Sequence, residues 1–454
     1  MVGFRCQSPQ DVPLPRFPVI CYQFSTLRIG LFRFTMVPTE PLMVPALNKG
    51  NMLRGGFGHA FRRLCCIPQC RDSKSCPLAN SCPYKAVFEP SPPPGADRLS
   101  KNQDIPRPFV FHAPQTLQTR FEKDERFEFG LVLIGRALDF LPYFVLSFRE
   151  LAREGLGLNR AKCVLEKVEE LRPPSTGFEI RNGRDLESQR ARMANLESEI
   201  RNPESPGFEI PNDPGLESQI WNLESSVPCN LSPVTYDLFP VPSVVYSAED
   251  QLFRATTTST ASDWIGGRLL QLCGGLTPDT WNPTPETRLV TCHSSHVTVR
   301  FLTPTFLRAG GQVVRSPEFH HVFKRLRDRI NALSTFFGDG PLDVDFRGLG
   351  ERAENVRTVS SQIEWVERFR TSSKTHQRHE LSGFVGECTY EFRADESHGS
   401  NLELLQWMLA GELIHVGKHT AWGNGCYTIG IAASAGALRV ESKLFDSTGL
   451  LGRL

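Results

Sequence analysis

The order of its segments constrains this chain more than any single motif. One succession of strand, helix, strand, strand, helix and strand occurs twice. In the first set, Tyr22–Val37 alternates, with Leu27, Ile29 and Leu31 on one face. Between 50 and 64, Leu53, Phe57, Ala60, Phe61 and Leu64 recur at helical spacing. Strand-like Phe109–His112 and Arg126–Ile134 follow, then a helix over Leu141–Gly155 and a strand over Lys162–Val168. In the second set, His296–Leu307 reads as a strand. A helix then opens at Ser316-Pro317-Glu318, Ser as N-cap and Pro as first helical residue. Phe319, Val322, Phe323, Leu326, Ile330 and Leu333 make its apolar stripe. Ser360–Phe369 and Leu381–Phe392 read as the two middle strands. A helix from Asn401 and a strand from Cys426 complete the set.

The expectation is an α+β chain of two tandem ferredoxin-like βαββαβ domains, 1–171 and 231–432. Residues 172–230 differ in kind. Ser175-Thr-Gly-Phe-Glu-Ile-Arg-Asn recurs thirty residues on as Ser205-Pro-Gly-Phe-Glu-Ile-Pro-Asn, and Asn-Leu-Glu-Ser stands at both 195–198 and 222–225. Ten acids face six arginines there, a net −4, which leaves the rest of the chain at +5. Two short, polar, proline-bearing repeats do not make a solenoid, and the segment reads as a disordered insertion. Residues 433–454 read as a tail.

The chain has 454 residues, 40% of them hydrophobic, enough to fill two or three cores. It holds no run of eighteen apolar residues, so no membrane partner is expected. Residues 1–20 mix prolines, polar residues and charges, unlike a signal peptide, and the reading is an intracellular, cytoplasmic protein. Its thirteen cysteines are then free, buried or metal-bound rather than paired. With a net charge of +1, any nucleic-acid partner must be met by local patches.

Three stretches carry chemistry. Lys49, Arg54, Arg62 and Arg63 fall between 49 and 63 with no acid among them, His59 sits on the polar face of the helix, and Gly55 lies one turn before it. Helix-interior glycines cost about 1 kcal/mol each against Ala, so something is expected to approach closely. Next, Cys66, Cys70, Cys76 and Cys82 form one short loop, a donor set suited to a tetrahedral structural metal, zinc first and an iron–sulfur cluster second. The spacing is not that of paired Cys-x2-Cys motifs, and unligated thiols are the alternative. Third, Gly411 to Gly425 is glycine-rich and carries His415, Lys418, His419 and Trp422. It is not a P-loop: five residues separate Gly411 from Gly417, and His419 stands where Ser or Thr would hold magnesium. Its glycines and lysine suit a phosphodiester backbone, and an ordinary turn is the alternative.

The pattern Gly411-x3-His415-x-Gly417-Lys418-x-Thr420-x2-Gly423-x-Gly425-x-Tyr427 resembles the RAMP superfamily of CRISPR proteins. Gly50-Asn-x-Leu-Arg-Gly-x-Phe-Gly-His-Ala60, Cys82-Pro-Tyr84, Leu302-Thr-Pro304 and Leu381-Ser-Gly-Phe-x-Gly386 sharpen this toward the endoribonuclease that cuts precursor CRISPR RNA within each repeat. The resemblance implies metal-independent attack of a ribose 2′-OH on the adjacent phosphate, with no cofactor in catalysis. It points to His59 as the catalytic histidine, with His415 and Lys418 as the competing site and Tyr22 and Tyr427 as possible helpers. The expected RNA ligands are Arg54, Arg62, Arg63, Lys324, Arg325, Arg370, Lys374, Arg378, Gly417, Lys418, His419, Gly423 and Gly425. The implied partners are CRISPR repeat RNA and other CRISPR effector subunits, in a prokaryotic cytoplasm. A non-catalytic RAMP subunit holding mature CRISPR RNA, or a general RNA-binding protein, would carry much the same patches.

Overall fold

The computed structural model describes residues 22–67, 70, 76–78, 81–90, 105–173, 241–257, 259–272, 296–371, 378–392 and 398–431. Residues 174–230 of the repeat-bearing segment and the whole tail, 433–454, lie outside these residues.

The N-terminal half runs β1 (Ile29–Pro38), α1 (Lys49–Cys65), α2 (Pro83–Phe88), β2 (Phe109–His112), β3 (Phe127–Ile134), α3 (Leu141–Glu154), β4 (Cys163–Arg172), β5 (Val241–Ser247) and α4 (Ala261–Leu272). The C-terminal half runs β6 (His296–Thr305), α5 (Phe319–Phe337), α6 (Phe346–Glu354), β7 (Arg357–Val366), β8 (Gly383–Glu391), α7 (His398–Ile414) and β9 (Tyr427–Ile431). The two sheets are ordered β2-β3-β1-β4-β5 and β7-β8-β6-β9, with the described pairings antiparallel. With β5 set aside, each half repeats one ferredoxin-like order: second strand, third, first, fourth. Register is fixed by partners such as Phe32↔Leu131 in the first sheet and Arg300↔Glu387 in the second.

The apolar spacing of α1 explains its place. Leu53, Phe57, Ala60 and Phe61 are buried, and the Phe57 ring stacks on Phe144 at 4.9 Å and on Phe148 at 5.2 Å. Stacked aromatic pairs of this kind add about 0.5–1.5 kcal/mol each beyond their burial. Leu64, expected on that face, is 41% exposed because the helix ends one residue later. The whole expected stripe of α5 is buried.

Three boundaries differ from the sequence reading. Tyr22–Phe24 is a 3-10 turn rather than strand. Helix α5 begins at Phe319 with Glu318 as N-cap, because the Tyr390 hydroxyl donates to the Pro317 carbonyl at 2.6 Å and holds the preceding residues outside the helix. β5 lies within 231–432, expected as the C-terminal domain, yet it extends the N-terminal sheet beyond β4. Among the described residues no helix is long and apolar enough to cross a membrane.

Candidate nucleic-acid interface

The glycine-rich loop joins α7 to β9, and its neighbours decide its shape. The Thr303 hydroxyl donates to the Gly423 carbonyl and accepts from the Cys426 N–H, both at 2.9 Å. The Asn424 side-chain amide donates to Leu381 O at 3.3 Å, and the Lys418 N–H donates to Phe306 O at 3.1 Å. Thus the Leu302-Thr-Pro304 and Leu381-Ser-Gly motifs are the anchors of this loop. Gly425 has φ +73°, and a Cβ there would stand 1.8 Å from Val416 O. Protein backbone, not an open face, accounts for this glycine.

His415 is fully buried, and its Nδ1 lies 3.1 Å from Asn424 O. Burial, then the nearby His112, hold its pKa well below the ordinary histidine value. Tyr427 is buried too, donating from its hydroxyl to Met408 O at 2.6 Å. Lys418 is exposed, with Nζ 5.4 Å from the Phe306 ring centre. His419 stacks on Trp422 with centroids 4.8 Å apart.

The N-terminus of α1 meets this loop. A Cβ on Gly50 would stand 2.2 Å from Trp422 O, so helix and loop touch backbone to backbone. This approach falls at Gly50 in the first turn; of the interior glycines, Gly56 packs on Leu151 and Gly58 on Arg54, and Gly55 faces open space. Asn48, the N-cap residue, makes no capping bond; its Oδ1 accepts from Arg368 at 3.0 Å. Beyond Arg368 lies a hairpin of Phe369–Thr371 and Arg378–Glu380. Its Arg370 guanidinium lies 5.0 Å from the Trp422 ring, and Arg378 covers Phe369 at 3.7 Å, with Phe369 46% exposed.

Arg54 completes the junction. It lies 4.4 Å over the Phe88 ring. Burial, then the charges of Arg107 and Arg370, bring its pKa down to about 9, with Tyr84 opposing them. Arg107 and Arg370 thus both bear on Arg54, and guanidinium groups suit phosphate.

The exposed face of α1 continues from there. His59 is exposed, and space is open around Gly55, where an added Cβ would meet nothing within 4 Å. Arg62 lies 5.9 Å over Tyr84, and Arg63 pairs with Glu154. Lys49 is spent inside the fold: it is 2% exposed, and its ammonium donates to Ala46 O at 3.0 Å and Thr116 O at 2.5 Å.

The basic face of α5 is largely engaged by protein. Lys324 pairs with Glu354, and Arg325 donates to Arg308 O at 2.6 Å. A cavity of 320 Å³ lies beside them, lined in part by His320 and His321. Lys374 lies outside the described residues. Sequence reasoning missed Arg107 and Trp422 as parts of one site. Arg107 stood between two prolines in what read as a linker, and only its position just before β2 marked it.

In the Cys loop, the Cys70 thiol contacts those of Cys66 and Cys76. Burial, then the Cys82 and Cys66 thiols, push Cys65 up to about 12. The sulfurs adjoin in a chain: among the described residues, no three of them lie within 4.8 Å of one another. The donor chemistry fits a soft ion, and the spacing is looser than a closed tetrahedron.

Residues 299–427 match the family model of the CRISPR-associated endoribonuclease Cas6, and residues 27–194 match a model described as an N-terminal domain. Residues 299–427 thus form a Cas6-type domain. No curated protein matches the chain in sequence. Among solved structures, the chain is similar to Cas6 of Thermus thermophilus at 13% identity, over 89% of this chain and 98% of that one, with a TM-score of 0.39. It is similar to a Cas6 product complex at 15% identity, over 88% and 98%, with a TM-score of 0.40. A partial Cas6-RT-Cas1–Cas2 complex matches at 10% identity, over 92% of this chain and 48% of that one, with a TM-score of 0.45.

Proposed function

We propose that this protein is an endoribonuclease that cuts precursor CRISPR RNA within its repeats and so supplies guide RNAs for antiviral defence. The observation that carries the reading is the junction of α1, the glycine-rich loop and the paired strands 369–371 and 378–380, where Arg107 and Arg370 bear on Arg54. The family description, an endoribonuclease, supports it.

In this reading the RNA backbone enters at the arginines and runs along the open face of α1 past Gly55. His59 takes the proton from a ribose 2′-OH, which attacks the adjacent phosphate; the oxygen leaving from the next nucleotide is then protonated. Histidine suits this work because its ordinary pKa lies near 6.5. Arginine offsets the charge that gathers on the phosphorane. Arg62, on the same helix, is the cation nearest His59 in sequence. His415 is the poorer choice because it is fully buried and held to Asn424. Trp422, His419 and the exposed Phe369 offer faces on which unpaired bases can stack. The chemistry asks for no metal ion. The Cys66, Cys70, Cys76 and Cys82 loop is proposed to hold a structural zinc or iron–sulfur cluster, on the strength of the Cys66–Cys70–Cys76 contacts.

A second reading, a non-catalytic RAMP subunit that holds CRISPR RNA beside other effector subunits, is favoured by one observation. Among the described residues, none holds the exposed His59 ring by a side-chain hydrogen bond. A repeat RNA carrying one 2′-deoxy nucleotide at the cut position separates the two. The endoribonuclease binds it as tightly as the all-ribose RNA and leaves it intact while cutting the latter. Equal binding with neither RNA cut would assign the second reading.

A further inference from the structure

Two histidines and a cysteine meet between the two halves of the molecule, apart from the arginine junction and the Cys loop. His112 ends β2, His415 follows α7, and Cys426 precedes β9. One ring nitrogen of each histidine and the Cys426 sulfur lie within 4.8 Å of one another. The two imidazole centroids are 4.5 Å apart.

Hydrogen bonding fixes which nitrogens can bind an ion. His112 Nε2 lies 3.0 Å from the Leu413 carbonyl, which can only accept, so Nε2 carries the proton and Nδ1 the lone pair. His415 Nδ1 lies 3.1 Å from the Asn424 carbonyl, so its lone pair is on Nε2. Among the described residues, the buried His415 Nε2 has no hydrogen-bond partner. Leaving a buried acceptor unpaired is costly, and this one belongs to a side chain with no exposed surface. The loop also holds His415 at φ +61°, a left-handed conformation rare outside glycine. In metal centres the imidazole that binds the ion commonly donates its other N–H to a backbone carbonyl, which sets the ring's tautomer and angle. Both histidines here have that arrangement.

We propose that His112, His415 and Cys426 form a buried three-ligand site for a thiophilic d10 metal ion, zinc(II) or copper(I), that clips the N-terminal half to the glycine-rich loop. Two imidazole nitrogens and one thiolate are the donor set for such ions. On binding, the Cys426 S–H loses its proton to solvent and a metal–sulfur bond forms. The charges around the site bear on the choice of ion. Glu412, near Cys426, is already paired with Arg268 at 2.7 Å. Arg329 is near His415 and donates to Ile414 O at 3.2 Å. Thiolate and copper(I) sum to zero and thiolate and zinc(II) to +1, so Arg329 favours the monovalent ion.

The test is elemental analysis with X-ray absorption on the untagged full chain in which Cys66, Cys70, Cys76 and Cys82 are all changed to Ser. That removes the sulfurs of the Cys loop. The expected result is about one zinc or copper per chain, with two nitrogens and one sulfur in its shell. Adding Cys426→Ser should remove nearly all of it, with circular dichroism unchanged. An undiminished metal content in the Cys426→Ser protein would overturn the proposal. So would a folded four-serine protein that takes up neither ion on reconstitution. Should the four-serine protein not fold, Cys426→Ser is made in the natural sequence. Loss of about one equivalent then supports the site, and an unchanged content overturns it.

Discussion

The outer face of α1 and the interior of the glycine-rich loop hold the same kinds of residue in opposite circumstances. Each carries a histidine among glycines and basic residues. On α1, His59 is exposed and space is open at Gly55. In the loop, His415 is sealed and Gly425 is closed by Val416 O. Gly55 leaves open space beside the helix; Gly425 makes room for the protein's own backbone. A histidine on the first face can exchange protons with a substrate. One in the second place is held to Asn424 and packs against the His112 ring.

Substitutions can break that contrast or sharpen it. The largest effect is expected at His59: His59→Ala should lower single-turnover cleavage about 10²- to 10⁴-fold, the usual contribution of a positioned acid or base, with RNA affinity nearly unchanged. Cleavage that survives would dissolve the contrast. Next, Arg54→Gln with Arg370→Gln should weaken repeat-RNA binding at least about tenfold. It should also flatten the salt dependence of the affinity by about 0.7 per lost phosphate contact. An unchanged slope would place the RNA elsewhere. His415→Ala should reveal itself in stability: a loss of about 2–4 kcal/mol in urea unfolding, from the cavity and the severed bond to Asn424. Its folded fraction should still cut at close to the normal rate. A severe rate loss at unchanged stability would reverse the roles of the two histidines. The smallest effect is expected from deleting residues 178–230, which should leave binding and cleavage within about twofold; an insoluble product would contradict the reading of that segment.

Much of this architecture could be read from periodicity. Both βαββαβ sets show in the chain because each element buries one face and spaces its apolar residues accordingly. The face of α1 follows from Leu53, Phe57, Ala60 and Phe61, and His59 lies opposite them. What periodicity cannot carry is non-local. Nothing local in Val241–Ser247 says that it pairs with β4, from which the sequence separates it by nearly seventy residues. Nothing before Ser316 says that Tyr390 will hold Pro317 and delay α5. The site itself was half legible. Arg54, Arg370, His419 and the glycines stood out by residue type. Their convergence with Arg107 and Trp422 depends on how the halves pack, and so does the burial of His415. Lys49 shows the same limit: it stood in the acid-free run with Arg54, Arg62 and Arg63, yet the fold uses it to bind two carbonyls.

The most direct measurement incubates the purified full chain with EDTA and end-labelled RNA of a CRISPR repeat, then maps the product ends. The account predicts one cut within the repeat, leaving a 2′,3′-cyclic phosphate, at a rate that the chelator does not change. Tight binding with no cut, or a cut that requires added metal ion, would contradict it.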